Sequence, residues 1–154
     1  MFHEQSVSLD DAIKTGVIQE LETFECPHDT TLENTGIVKI VFPEFTSVCP
    51  KTGYPDFAKI DLYYLPNRLC VELKAWKLYL NSFRMVGAFH EKITKHIYDK
   101  VNAVLAPKWC MVVGDFFPRG NVNTTVVFET PTTRPIGIDV LLENYKPHST
   151  TFRH

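Results

Sequence analysis

A chain of 154 residues, 44% apolar and 22% charged, has the balance of an ordinary globular protein and the length of one domain, here 1–154 with residues 1–35 as a peripheral arm. Its formal net charge of −2 and its scattered lysines and arginines exclude the broad basic footprint by which proteins hold nucleic acid directly. The opening residues carry early acids and no apolar run, and no stretch approaches the roughly 18 apolar residues of a membrane helix, so a cytosolic protein is expected.

The first 35 residues are polar and turn-rich. Gly36 to Phe42 is β-branched and partly alternating, which predicts a strand. Cys49 to Asp56 carries two prolines and a glycine and is expected to be irregular. Phe57 to Leu65 alternates again and predicts a second strand, ended by Pro66-Asn67, with a shorter strand from Leu69 to Leu73. From Lys74 the period changes: Ala75, Leu78, Tyr79, Ser82, Phe83 and Val86 fit one face of a helix that Gly87 closes. A second helix carries Ile93, Ile97, Val101, Val104 and Leu105 and stops at Pro107. Trp109 to Phe117 and Asn123 to Phe128 complete the strands. The order β-β-α-α-β-β predicts an α+β domain, an antiparallel sheet with two helices on one face. Such a sheet has two raw edges, which copies of the same chain can pair in a ring-like homo-oligomer.

The four cysteines, Cys26, Cys49, Cys70 and Cys110, have long, irregular spacings and no C-x-x-C pair, as expected of free thiols in a reducing compartment. Cys70 and Cys110 are expected as small buried hydrophobes. Cys49 is different because a Pro/Gly turn separates it from Asp56. A thiolate adds to an electrophilic carbon, and a nearby carboxyl can take the thiol proton and return it to the atom gaining electrons. The competing reading is a structural loop with a buried cysteine and an aspartate bonded to its own turn. His90 and Glu91 open the second helix, where the dipole favours an anion. Glu91 can accept two parallel N–H donors from a guanine-like edge, and His90 can relay protons or bind the base. Each is otherwise an ordinary helix-start or surface residue. Lys74 and Lys77, three apart, share a helical face that suits a phosphate-bearing ligand or simply solvent. The seven glycines form no G-x-G pair, and there is no H-x-x-H, C-x-x-C or H-E-x-x-H run, so neither a glycine-rich dinucleotide turn nor a metal site is expected.

Taken together, Cys49-Pro-Lys-Thr-Gly-Tyr-Pro-Asp56, Glu72-Leu-Lys-Ala-Trp-Lys-Leu-Tyr79, Phe89-His90-Glu91 and Pro118-Arg119-Gly120 resemble the NADPH-dependent 7-cyano-7-deazaguanine reductases of queuosine biosynthesis, over roughly Leu21 to Thr130. The resemblance implies a single-domain tunnelling fold, assembled as a homo-oligomer with active sites between subunits. It implies Cys49 as the nucleophile that forms a thioimide with the nitrile and Asp56 as the proton donor. Val71, Glu72 and Leu73 would line the substrate, and His90 and Glu91 would contact the base. The lysine-bearing motif matches a region associated with NADPH, and charge assigns Lys74 and Lys77 to the cofactor phosphates. Three other readings compete: an amidinotransferase-like enzyme acting on the same nitrile without cofactor, a zinc-dependent GTP cyclohydrolase I, and a non-catalytic base-binding module. The cyclohydrolase run of Cys and His is replaced here by Pro50-Lys51-Thr52.

Overall fold

The structure is a computed structural model and describes residues 6–31 and 36–143. In chain order the elements are β1 (Val7–Ser8), α1 (Leu9–Lys14), β2 (Thr23–Glu25), β3 (Val38–Val48), β4 (Pro55–Leu65), β5 (Leu69–Val71), α2 (Leu73–Asn81), β6 (Val86–Gly87), α3 (His90–Leu105), β7 (Trp109–Arg119), β8 (Val122–Glu129) and α4 (Ile138–Glu143). The chain is a mixed α+β structure. Its main sheet runs β1-β6-β3-β4-β7-β8, and β2 and β5 form a separate antiparallel pair. The four long strands are antiparallel to their neighbours, whereas β6 runs parallel to both β1 and β3.

Strand alternation divides the side chains between two faces. On β4, Ala58, Ile60, Leu62 and Tyr64 enter the main core, and on β7 Cys110, Val112 and Phe116 join them. The α3 residues Ile93, Ile97, Val101 and Leu105 sit at 0–2% exposure over this layer, the row that a 3.6-residue period sets on one side of a helix. The two elements meet closely at Gly114. A Cβ there would lie 2.5 Å from the Thr94 hydroxyl, and Thr94 donates that hydroxyl to the His90 carbonyl at 2.8 Å. Glycine on the strand therefore sets how near the start of α3 can approach the sheet. The opposite face has its own cluster of Tyr63, Trp109, Met111 and Val113, covered by Ile138 of α4.

Several expectations are corrected. The first strand reaches Val48, well past Phe42, because Phe45 to Val48 continue the ladder beyond an irregularity. The predicted helix from Lys74 to Val86 ends at Asn81, and Val86 pairs with Val7 as a strand. Either conformation buries Val86, so its apolar spacing does not distinguish them. Pro55 and Asp56 belong to β4, not to an irregular segment. The first 35 residues hold more than turns: β1, α1 and β2 lie there, and Leu9, Ala12, Ile18 and Leu21 are buried in the main core. α4 had no counterpart among the expected elements.

The ladder also shows why Cys49 faces the helices. In β3, Phe42 stands opposite Ile60 and Phe45 opposite Ala58. Three steps on one strand match two on the other, which is a β-bulge, with Pro43 and Glu44 between. A bulge reverses which residues point to which face. Before it, Val38, Ile40 and Phe42 pack against the main core; after it, Phe45 does. The odd-numbered residues Ser47 and Cys49 inherit that side.

Candidate active site

Cys49 ends β3 and begins a tight turn. Its N–H donates to the Tyr54 carbonyl at 2.8 Å, and its own carbonyl accepts from Gly53 N–H at 2.9 Å. Gly53 has φ of 73°, a left-handed conformation that glycine adopts without a Cβ penalty. The turn leads directly into β4, where Asp56 pairs with Ser47. Cys49 and Asp56 are thus diagonal neighbours on the same side of a two-stranded ladder, within reach of each other. Both are buried, at 5% and 3% exposure.

The first turn of α3 closes the site. His90 Nε2 lies 3.2 Å from Asp56 Oδ2, and the imidazole stacks on Phe116, with centroids 3.8 Å apart and an 8° angle between planes. The ring is therefore fixed from below while its edge meets the carboxylate. Cys49, Asp56, Phe89, His90, Glu91 and Arg119 line one cavity of about 280 Å³. Glu91 is exposed toward it, and Phe89, 52% exposed, supplies an apolar wall.

Arg119 was not singled out for a role by residue chemistry. Its Nη1 lies 2.6 Å from Asp56 Oδ1, and its Nη2 donates toward Cys49 Sγ at 3.5 Å. Burial pushes the Cys49 thiol up. Hydrogen bonds from the Thr52 hydroxyl and N–H, from Arg119 and from the Lys51 N–H outweigh that burial and bring it down to about 7. A sulfur with that value is substantially thiolate at neutral pH, the reactive form. The only sequence signal for Arg119 was its place in the Pro118-Arg119-Gly120 phrase.

The remaining expected site residues lie elsewhere on the same chain. Val71, Glu72 and Leu73 line a separate, largely apolar cavity of about 520 Å³, together with Phe24, Ile40 and Tyr64. The Glu72 carboxylate caps α2, accepting from Lys74 N–H at 3.1 Å and Ala75 N–H at 2.7 Å. These backbone donors, that of Ala75 foremost, hold it below the usual carboxylate range. Lys74 stands beside Glu20, Glu22 and Glu72 in a third cavity of about 250 Å³, and Lys77 is exposed on α2. Among the described residues, no group of three or more His, Cys, Asp or Glu side chains is arranged to hold a metal. None of their helices is long and apolar enough to cross a membrane.

A buried, acidified thiol beside a carboxylate and an imidazole is the set of groups that thiol-dependent catalysis calls for. Residues 55–135 match the family model described as QueF-like protein, and the chain belongs to this family. A Campylobacter lari protein named NADPH-dependent 7-cyano-7-deazaguanine reductase is 47% identical over 114 residues, covering 74% of this chain and 87% of its own. An Anaeromyxobacter protein of the same name (strain K) is 56% identical over 96 residues, 62% of this chain and 78% of its own. Among solved structures, the apo crystal structure of the archaeosine synthase QueF-Like shares the fold, with a TM-score of 0.59 at 22% identity, over 64% of this chain and 96% of that one.

Proposed function

We propose that this protein reduces the nitrile of 7-cyano-7-deazaguanine to the aminomethyl group at the expense of NADPH, in queuosine biosynthesis, through a thioimide on Cys49. The observation that carries the mechanism is the shared cavity of Cys49, Asp56, His90 and Glu91, in a chain whose relatives are named for this reduction.

The overall balance is one nitrile, two NADPH and two protons giving one primary amine and two NADP⁺. The Cys49 thiolate adds to the nitrile carbon, forming a C–S bond as one C–N π bond opens. Asp56 delivers a proton to the nitrogen, giving the thioimide. When bound, NADPH supplies hydride, twice per nitrile. After the first reduction the C–S bond breaks, returning the sulfur electron pair to Cys49 and leaving an imine. His90, held on Phe116 and next to Asp56, is placed to replenish the carboxyl proton. Glu91 grips the two N–H donors on the guanine-like edge, which keeps the imine in place and away from water between reductions.

The residues offered to a nicotinamide cofactor are cationic side chains, because no glycine-rich turn exists. Lys74 and Lys77 project from one side of α2, and Arg119 stands half-exposed at the thiol cavity. The two lysines fit phosphate oxygens, with Glu20 and Glu22 beside Lys74 favouring Lys77 for the closest contact. The fold is read as the tunnelling fold in single-domain form. Val71 to Leu73 open on a different cavity from Cys49, so a complete pocket is built from two copies, the thiol half from one and the Val71–Leu73 wall from its neighbour.

The test is NADPH oxidation with the cyano base, monitored by loss of reduced-nicotinamide absorbance. Two equivalents consumed per amine are expected. Mass spectrometry without cofactor is expected to show a covalent adduct on the unmodified chain and none on Cys49→Ala. An adduct that forms without any NADPH oxidation would favour the amidinotransferase-like alternative.

A further inference from the structure

We infer that Arg119 is a positioning residue for this reaction: one guanidinium spans the nucleophile and the proton carrier, holding sulfur and carboxylate on the same side of the incoming nitrile. The contacts are direct. Nη1 meets Asp56 Oδ1 at 2.6 Å and Nη2 meets Cys49 Sγ at 3.5 Å. A guanidinium presents its donors as a rigid planar fork, so the separation of its two nitrogens limits how far sulfur and carboxylate can drift apart.

The backbone supports this reading independently. On β7, Phe116 stands opposite Thr124 and Arg119 opposite Val122. Three residues of β7 span two of β8, so a second bulge lies between, at Phe117-Pro118. It has the same effect as the bulge in β3. Before it, Cys110, Val112 and Phe116 face the helices; after it, the odd-numbered Arg119 takes that side. Without it, Arg119 would point to the opposite face of the sheet. Two separate bulges, on strands either side of β4, thus aim Cys49 and Arg119 into one cavity. A bulge breaks the ladder locally, and here the pair of them assembles a single contact.

Besides Cys49 itself, the charged and titratable groups lining that cavity are Lys51, Asp56, His90, Glu91 and Arg119. Of these, Arg119 alone touches both Cys49 and Asp56. Its role rests on the nitrile reading for its purpose, but its effect on sulfur does not require the substrate.

The experiment is therefore the pH dependence of Cys49 alkylation by iodoacetamide, followed at the peptide level by mass spectrometry, for the unmodified protein, Arg119→Gln and Arg119→Lys. The unmodified inflection is expected near 7. Arg119→Gln removes the charge and the fork, and its inflection should rise by about one unit. Arg119→Lys keeps a charge that cannot reach both partners, and should fall between the two. In parallel, thioimide formation from the cyano base should slow by about 10–100-fold in both variants. Lysine tests the geometry should the glutamine variant not fold. Unchanged inflections in the folded variants would overturn the inference, as would full-rate thioimide formation by Arg119→Lys. If no form of the protein reacts with the cyano base, the nitrile reading fails while the alkylation profiles still decide the Arg119 contact.

Discussion

Asp56 shows how much one side chain is asked to do. It is almost fully enclosed, meets a guanidinium on one oxygen and an imidazole on the other, and lies diagonally across the ladder from Cys49. Asp56→Asn keeps the shape but removes the exchangeable proton and the charge. Thioimide formation should fall by about 10²–10⁴-fold, measured as the rate of adduct appearance by mass spectrometry. Affinity for the base, which the proposal rests on Glu91, should change little in calorimetry on the Cys49→Ala background. Cys49, Asp56, His90 and Glu91 were candidates by residue type and position, each with an ordinary structural reading beside it, and the family resemblance is what singled them out. Arg119 was not among them. Its partners are 63 and 70 positions away in the chain, and no local pattern carries that information.

At the level of elements, the long strands and α3 were readable because each repeats a simple period: the even-numbered apolar residues of β4, and the i, i+4 row from Ile93 to Val101 on α3. The reading failed where an element is too short to show a period. β1 and β6 have two residues each, β2 and β5 three, and such pieces exist only because a neighbour completes their hydrogen bonds. The bulges were invisible for another reason. They are a mismatch between two strands, and a single strand contains no trace of its partner's count. The crossing of α3 over β7 leads to a stability prediction. At Gly114, alanine would put a methyl group 2.5 Å from the Thr94 hydroxyl, forcing helix and strand apart. Gly114→Ala should lower stability by about 1–3 kcal/mol in a denaturant melt. It should also impair catalysis, because Thr94 is bonded to the carbonyl of His90.

Over the whole molecule, the residues proposed for the site lie on two different openings. The sulfur, its acid and the guanidinium line one, whereas Val71 to Leu73 line another, and a proposed assembly brings the two kinds together from separate copies. Such an arrangement makes defects transferable. A chain with Cys49→Ala lacks a nucleophile but keeps an intact wall; a chain with Leu73→Asp, at a position 62% exposed, lacks the wall but keeps its nucleophile. Each homogeneous preparation should be nearly inactive. Co-expressed as mixed rings, the pair should recover roughly a quarter of normal turnover, because each pocket needs an intact nucleophile from one copy and an intact wall from its neighbour, and each is carried by about half the chains. Two broken copies would then make a working one, and genetic dominance, inhibitor stoichiometry and tolerance of damaged subunits would follow rules set by neighbours instead of by single chains.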